Sequence, residues 1–370
     1  MDARPRIVLV GGDGGRSGVP SHIMHLCDVL GETADVTVIS GRNRGGYDFA
    51  KTLPHIEVEG LATSLNPAAA LRAKRGLTEA LEQIKPDLVW AHARMSLPLA
   101  RWATRGDRSR LMVTYHGIPH GIGHGAVKST VSRAIETVSL AVADRHDVVF
   151  LTDEDRQVMA ASLVGQRLHL LPNCSWLGDF SLPAGGRNGP RRLVMLTRDS
   201  VQKNLDLAAR IFAALPPDFE LQLYGMGTEL PALRNRFTAI LGPQTVRRVL
   251  FFGDTSDARA FLQGADGLLV TSRYEGLSIS MIEAMEMGLP IFSTSVGGVG
   301  LIRASHPLFG EVGSDLAASA ATIDAVTTTY RSDPKAFSQA IHTAWEARFA
   351  PQTWAHKVKS LVDTVMQSRP

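Results

Sequence analysis

Short runs of β-branched and aliphatic residues alternate with helix-length segments along this whole chain, and that alternation leaves few folds open. Runs at 7–10, 36–39, 56–58, 88–90, 112–115, 148–151 and 168–171 are separated by segments of helical spacing, among them 20–30, 68–84 and 126–143. Such alternation is the mark of parallel sheets with helices on their faces. A Pro- and Gly-rich stretch, Leu182-Pro-Ala-Gly-Gly-Arg-Asn-Gly-Pro190, interrupts the pattern and reads as a linker. Beyond it the alternation restarts, with runs at 193–196, 221–224, 250–252, 268–270 and 291–293. A chain of 370 residues is also too long for one compact core. The expectation is therefore an α/β protein of two Rossmann-like, doubly wound domains, 1–180 and 190–350. Apolar residues at Trp354, Val358, Leu361, Val362 and Val365 give 351–370 helical spacing, and this segment is expected to join the first domain. Sheets of this kind bind ligands at the carboxyl ends of their strands, so a cleft between the two domains is the expected site.

Composition narrows the function by exclusion. A formal net charge of +3 without clustered Lys/Arg argues against a dedicated nucleic-acid binder, while permitting loose attraction to an anionic membrane. Cys27 and Cys174 are too few for a disulfide framework or a zinc cluster, which points to a reducing compartment. Residues 1–6 lack the apolar region of a signal peptide, and no apolar run reaches the length of a membrane span. A cytoplasmic protein, at most peripheral on the inner face of a membrane, is expected.

Four segments carry chemistry. The most informative is Ser272-Arg-Tyr-Glu-Gly-Leu-Ser-Ile-Ser-Met-Ile-Glu-Ala-Met-Glu-Met-Gly-Leu-Pro290, read as a strand end, a glycine turn and a helix start. Glu275 on the turn and Glu283 on the helix would face one ligand from two sides. Backbone N–H groups at the turn and helix start would favour a phosphate between them. The plainer reading is a capping box, Ser280-Met-Ile-Glu283, which would leave Glu283 capping its own helix. Glu286 falls on another face and is expected to be solvated. In Leu196-Thr-Arg-Asp-Ser-Val-Gln-Lys-Asn-Leu205, Arg198 and Lys203 flank a loop at another strand end, where two cations can neutralise a diphosphate. Standing alone, these would be two solvated surface charges.

The loop Gly11-Gly-Asp-Gly-Gly-Arg-Ser-Gly18 follows the first strand and permits close approach of a ligand. Ser17 stands where a dinucleotide fingerprint needs its third glycine, which argues against a dehydrogenase. A tight strand–helix turn is the plain alternative. In Tyr115-His-Gly-Ile-Pro-His-Gly-Ile-Gly-His-Gly125, His116 sits at a strand's carboxyl end and can reach a ligand. His120 and His124 read as solvent-exposed loop residues. The spacing on a Gly/Pro loop, without a nearby cysteine or carboxylate, does not suit a metal.

These residues together resemble the retaining glycosyltransferases of the GT-B fold, the large family 4 class. The likeness is carried by Glu275-Gly-Leu-Ser278, Glu283-Ala-Met285, Gly288-Leu-Pro290 and Gly297-Gly298, and is supported by Arg198 with Lys203, Tyr224-Gly-Met-Gly227 and Phe251-Phe-Gly253. It continues more loosely through the first glycine loop, His116-Gly117 and Leu171-Pro-Asn173, so it spans nearly the whole chain. Where family members continue Pro-Asn with Gly-Val-Asp, this chain has Cys174-Ser-Trp-Leu-Gly-Asp179. The resemblance implies transfer of a sugar from a nucleoside-diphosphate sugar to an acceptor hydroxyl, with retention and without a metal or other cofactor. It implies that Arg198 and Lys203 hold the donor diphosphate, with backbone N–H groups of Gly276, Leu277 and Ser278. Glu275 would hold the donor sugar, Glu283 the ribose, and His116 would sit beside the sugar. Gly14 and Gly15 would close over the donor.

The acceptor, whether a glycan, a glycolipid or a small molecule, would meet loops at 43–49, 94–96 and 116–124. Helix 126–143, with Lys128 and Arg133, could suit an anionic lipid surface, though packing on the sheet explains it more simply. Two rivals stand beside this reading. A sugar-nucleotide 2-epimerase of the same fold would need acid/base carboxylates in the first domain, where no strong pair occurs. A non-catalytic sugar-nucleotide-binding subunit would bind the donor without turning it over.

Overall fold

The computed structural model describes residues 3–47, 53–61, 66–106, 109–118, 126–183, 189–254 and 257–368, without the side chain of residue 128. The chain divides into two compact units, Met1–Cys174 with Gln352–Pro370, and Ser175–Pro351. The divide thus falls at Cys174/Ser175, ahead of the Pro/Gly stretch 182–190 that composition marks as the linker; residues 184–188 of that stretch lie outside the described residues. The physical reason is a set of hydrogen bonds from Glu286, described below, that ties 175–177 to the second unit.

Unit 1 carries strands β1 (Arg6–Val10), β2 (Asp35–Ser40), β3 (His55–Glu57), β4 (Leu88–His92), β5 (Arg110–Tyr115), β6 (Asp147–Phe150) and β7 (Arg167–Leu170). They form one parallel sheet in the order β3-β2-β1-β4-β5-β6-β7. The order reverses between β1 and β4, which makes that junction the switch point where such sheets open a crevice. Alternation along β1 supplies both faces. Ile7 and Leu9 meet Ile23, Leu26 and Leu30 of helix α1 (Gly18–Leu30), together with Trp354, Val358 and Val362. Val8 and Val10 meet Ala73 and Leu77 of α2 (Pro67–Ile84), and Leu99 of α3 (Ser96–Ala103). The C-terminal helix Pro351–Gln367 therefore completes the core of unit 1, and Trp354 Nε1 donates to Pro172 O at 2.7 Å.

Beside β5 of this sheet lies a buried guanidinium. Arg101 on α3 is 1% exposed and donates to Glu136 Oε1 at 2.7 Å and Ser139 Oγ at 3.1 Å, both on α4 (Ala126–Val142). It also donates to Tyr115 Oη at 3.1 Å and His146 Nε2 at 3.2 Å. An arginine cannot accept, so His146 Nε2 is the acceptor and its Nδ1 carries the proton, which goes to Asp144 O at 2.9 Å. Tyr115 Oη donates to Glu136 as well, so one charged knot ties α3, α4 and β5. This knot, with α3 packed beside α4, gives α4 its buried side, while Val127 and Val138 remain exposed.

Unit 2 repeats the winding with β8 (Arg191–Leu196), β9 (Phe219–Tyr224), β10 (Val249–Gly253), β11 (Gly267–Val270), β12 (Ile291–Ser293) and β13 (Phe309–Glu311). The parallel order is β10-β9-β8-β11-β12-β13, with its reversal between β8 and β11. Leu193, Leu221, Phe212, Phe237, Phe292 and Ile323 form the core on one face. Among the described residues, no helix is long and apolar enough to cross a membrane.

Candidate functional site

The switch point of unit 2 gathers the sequence-predicted residues. Loop 197–204 leaves the end of β8, and turn 271–278 leaves the end of the neighbouring β11. Lys203 Nζ meets Glu275 Oε1 at 2.7 Å, with side-chain exposures of 18% and 11%. Ser272 Oγ donates to the same carboxylate oxygen at 2.6 Å, and Gln202 Nε2 reaches Glu275 Oε2 at 3.3 Å. Gln202 also donates to Tyr274 O at 3.0 Å and accepts from Arg198 at 3.4 Å, and Arg273 N donates to Gln202 O at 2.8 Å. Arg198, Lys203 and Glu275 therefore share one bonded network. Gln202 is its bridge, a residue that sequence reasoning passed over although it lies between the two predicted cations. Thr197 Oγ1 and Ser200 Oγ in the same loop are shut off from solvent and have no hydrogen-bond partner among the described residues.

The turn around Glu275 depends on glycine. A Cβ on Gly297 would lie 2.4 Å from Glu275 O, and one on Gly298, where φ is +74°, would lie 2.8 Å from Gly276 O. The Gly297-Gly298 pair lets one backbone lie directly against the other, which fixes the height of the Glu275 turn.

The helix that follows the turn is α9 (Ile279–Glu286), preceded along the chain by α5 (Asp153–Ala160), α6 (Leu205–Ala213), α7 (Pro231–Thr245) and α8 (Ala258–Gln263). Ser278 is its N-cap residue, with no side-chain cap; its hydroxyl instead meets Ser280 Oγ at 2.9 Å. The capping-box reading of Ser280 and Glu283 fails for that reason: the helix starts before Ser280, leaving Glu283 past its first turn. The Glu283 carboxylate makes no hydrogen bond or ion pair among the described residues. It keeps some solvent contact, yet desolvation first, and then the charge of Glu286, pushes its carboxyl up to about 7.

A stability test follows from that shift. The folded value lies above the ordinary 4.5, so between the two the folded state binds more protons, and stability falls as pH rises through that window. Glu283→Gln should remove the slope. The variant should gain on the order of 2 kcal/mol over the wild type near pH 8, after allowance for residual solvent screening, and almost nothing near pH 4. Urea melts at the two pH values read this directly; equal differences at both would contradict it.

Glu286 corrects an expectation. It is 1% exposed, not solvated: it accepts from Ser175 Oγ at 2.6 Å and from Leu177 N at 2.7 Å. Trp345 Nε1 donates to Ser175 Oγ at 2.9 Å, and His342 Nδ1 meets Glu286 O at 2.6 Å. The chain where it enters unit 2 is thus clamped by a buried acid. Desolvation raises the Glu286 carboxyl, and these donors hold it partly back.

In unit 1, Gly14 and Gly15 pair with Asn43 and Arg44 in a short parallel bridge. A Cβ on Gly14 would stand 2.3 Å from Arg42 O, so its glycine is required by the neighbouring backbone, while Gly15 faces nothing closer than the Asp13 carboxylate at 3.7 Å. His116 lies at the end of β5, partly exposed, its pKa lowered to about 4 by burial. It does not stand alone. His22 on α1 and His92 at the end of β4 pack around it, with ring centroids at 4.8 and 5.6 Å. His120 and His124, and residues 48–49 and 119–124 of the loops expected to meet the acceptor, lie outside the described residues.

Two doubly wound units, one of them presenting cations and a carboxylate at its switch point, define a GT-B protein. A sucrose-phosphate synthase from Thermosynechococcus elongatus shares the fold, with a TM-score of 0.81 at 16% identity over 98% of this chain and 99% of that one. So does Anabaena HepE in complex with UDP and glucose, with a TM-score of 0.76 at 14% identity over 97% and 99% of the two chains. The chain belongs to the glycosyl transferases group 1 family, whose pattern matches residues 190–346; the glycosyl transferase 4-like domain matches 17–174. One component of the human phosphatidylinositol N-acetylglucosaminyltransferase is 28% identical over 185 residues, which are 48% of this chain and 37% of the human protein. The chain thus matches little more than a third of that relative's length.

Proposed function

We propose that this protein is a retaining glycosyltransferase that moves a sugar from a nucleoside-diphosphate sugar to an acceptor hydroxyl. The observation that carries the reading is the Lys203–Glu275 pair at the unit 2 switch point, bridged through Gln202 to Arg198. A developing diphosphate charge needs fixed donors, and Arg198, Lys203 and the backbone of 276–278 supply them. Glu275 is assigned to the sugar hydroxyls and Glu283, which lacks a partner, to the ribose. Gly14, Gly15 and His116 are assigned to the donor as well. His116, neutral at physiological pH, can accept or donate at a sugar hydroxyl. The UDP and glucose bound by HepE favour a donor of this chemistry.

Glu275 is tied to Lys203, Ser272 and Gln202, and no carboxylate is assigned as the nucleophile of a covalent intermediate. The departing phosphate is therefore assigned to help deprotonate the acceptor, which attacks from the same face. With the charge borne by side chains, the transfer is proposed to need no divalent metal, and added Mg2+ should leave its rate unchanged. The acceptor is proposed to be a glycan or glycolipid, since the human relative is named for transfer to a phosphatidylinositol. Exposed Arg133, with Val127 and Val138 exposed on the same helix α4, favours peripheral contact with an anionic membrane on the cytoplasmic side; co-sedimentation indifferent to anionic lipid would remove that part.

Calorimetric titration with UDP, GDP and ADP, followed by product analysis with the matching sugar donors, tests the whole. One of the three diphosphates should bind, and its sugar donor should be hydrolysed slowly or transferred. Failure of all three to bind would overturn the assignment. Binding without turnover would favour a non-catalytic subunit, and an epimerised donor in the absence of acceptor would favour the epimerase.

A further inference from the structure

The switch point of unit 1 holds a cluster that the proposed transfer does not use as a set. His22 comes from α1, His92 from the end of β4 and His116 from the end of β5. Sheet order makes β1, which α1 follows, β4 and β5 consecutive strands, so three residues far apart in sequence meet at one sheet edge. One nitrogen from each ring lies within 4.8 Å of the other two. His22 and His92 are 1% and 0% exposed, and the set opens to solvent only at His116.

Hydrogen bonding does not account for the arrangement. His92 Nδ1 and His116 Nε2 are 3.4 Å apart, which one shared proton could satisfy. His92 Nε2 and both nitrogens of His22 have no hydrogen bond of good geometry among the described residues. A side-chain hydrogen bond with Asn173 only partly offsets the effect of His22's burial. Buried polar groups without well-placed partners are costly, and those of His22 and His92 converging on one point call for a shared occupant. The backbone is bent to the same end. Ala93, directly after His92, has φ of +110°, and Gly117, directly after His116, has φ of +126°. Such a conformation at a non-glycine residue is costly and concentrates at functional sites.

We propose that His22, His92 and His116 form a site for one borderline divalent cation of the zinc type. Zinc bound by imidazole at about 2.0–2.1 Å in tetrahedral geometry sets neighbouring nitrogens about 3.3–3.4 Å apart. The His92–His116 separation of 3.4 Å already meets that spacing. His22 must close by up to about 1.4 Å, within the broad χ2 range of a histidine. Three imidazoles without a carboxylate or carbonyl select zinc, copper or nickel over magnesium or calcium. The fourth position falls on the open side at His116, where water or hydroxide completes a three-histidine set. The loop histidines His120 and His124 are not needed.

The site shares only His116 with the sugar-transfer reading. One corollary does rest on that reading: if His116 also touches the donor sugar, ion and sugar donor compete for it. The two can fail separately, since stoichiometry tests the site and competition tests the sugar role. The experiment is equilibrium dialysis of the untagged full chain against Zn2+ with metal analysis, joined by X-ray absorption of the loaded protein. One Zn2+ per chain with three imidazole scatterers is expected, and His116→Ala, the change at the partly exposed position, should weaken binding at least about 100-fold. Substoichiometric uptake, a shell with fewer than three imidazoles, or affinity unchanged in His116→Ala would each overturn the proposal. The absorption measurement uses only the wild type, so a variant that fails to fold does not rescue the idea.

Discussion

Lys203→Ala is expected to lower kcat/KM for the sugar donor by about 10²–10³-fold, the scale on which removing one preorganised donor from a developing charge acts. The loss should fall on function and spare stability. Lys203 is only partly buried, and Glu275 would keep Ser272 and Gln202 as donors, so the turn should survive without its cation. Calorimetry with the nucleoside diphosphate should show the same variant weakened, and Lys203→Arg should recover part of the binding, because charge is restored while the compact ammonium geometry is not. Turnover within threefold or so of wild type would remove Lys203 from the diphosphate site. A drop in melting temperature that accounts for the whole loss would make it a structural residue.

The second large effect belongs to unit 1. Arg101→Met is expected to cost about 3–5 kcal/mol, since it leaves the Glu136 carboxylate buried without its cation. Ser139 and Tyr115 lose a donor in the same step, and His146 Nε2 is left without a proton to accept. Replacing both ends, Arg101→Met with Glu136→Leu, should return most of that stability, because the penalty lies in the stranded charge and not in the missing attraction. Urea denaturation followed by a unit 1 tryptophan such as Trp90 or Trp354 can read both. A single-variant cost below about 1 kcal/mol would show that Arg101 is not what holds α3 and α4 to β5.

Much of this was legible from residue order. Central strands such as Ile7–Val10 and Leu268–Val270 are continuous apolar runs because both their faces are covered, and such runs stand out against the polar segments around them. Glu275, Arg198 and Lys203 were legible because each lies within a few residues of a strand's carboxyl end, where doubly wound sheets place ligands. What stayed hidden has a common physical cause. The partner of Glu286 is the backbone of 175–177, more than a hundred residues away, so its helix face alone suggested solvent. His22 and His92 carry no local motif; only the strand order brings them to His116. The divide at Cys174/Ser175 escaped composition for a similar reason, since Pro and Gly mark where a chain can bend and not where contacts change hands. The three-residue strand Phe309–Glu311 is too short for any period to show.

The return of the C-terminal helix to unit 1 sets an order of assembly. Unit 2 is synthesised between the two parts of unit 1, so Ile7 and Leu9 stay uncovered until Trp354, Val358 and Val362 follow it. The first unit to be translated is therefore the last to be finished, and until then it presents an open apolar face of the kind chaperones hold. It also fixes how the protein can be cut. Residues 175–351 form one continuous stretch with a core of its own, whereas a fragment ending at 174 lacks one wall of its own sheet.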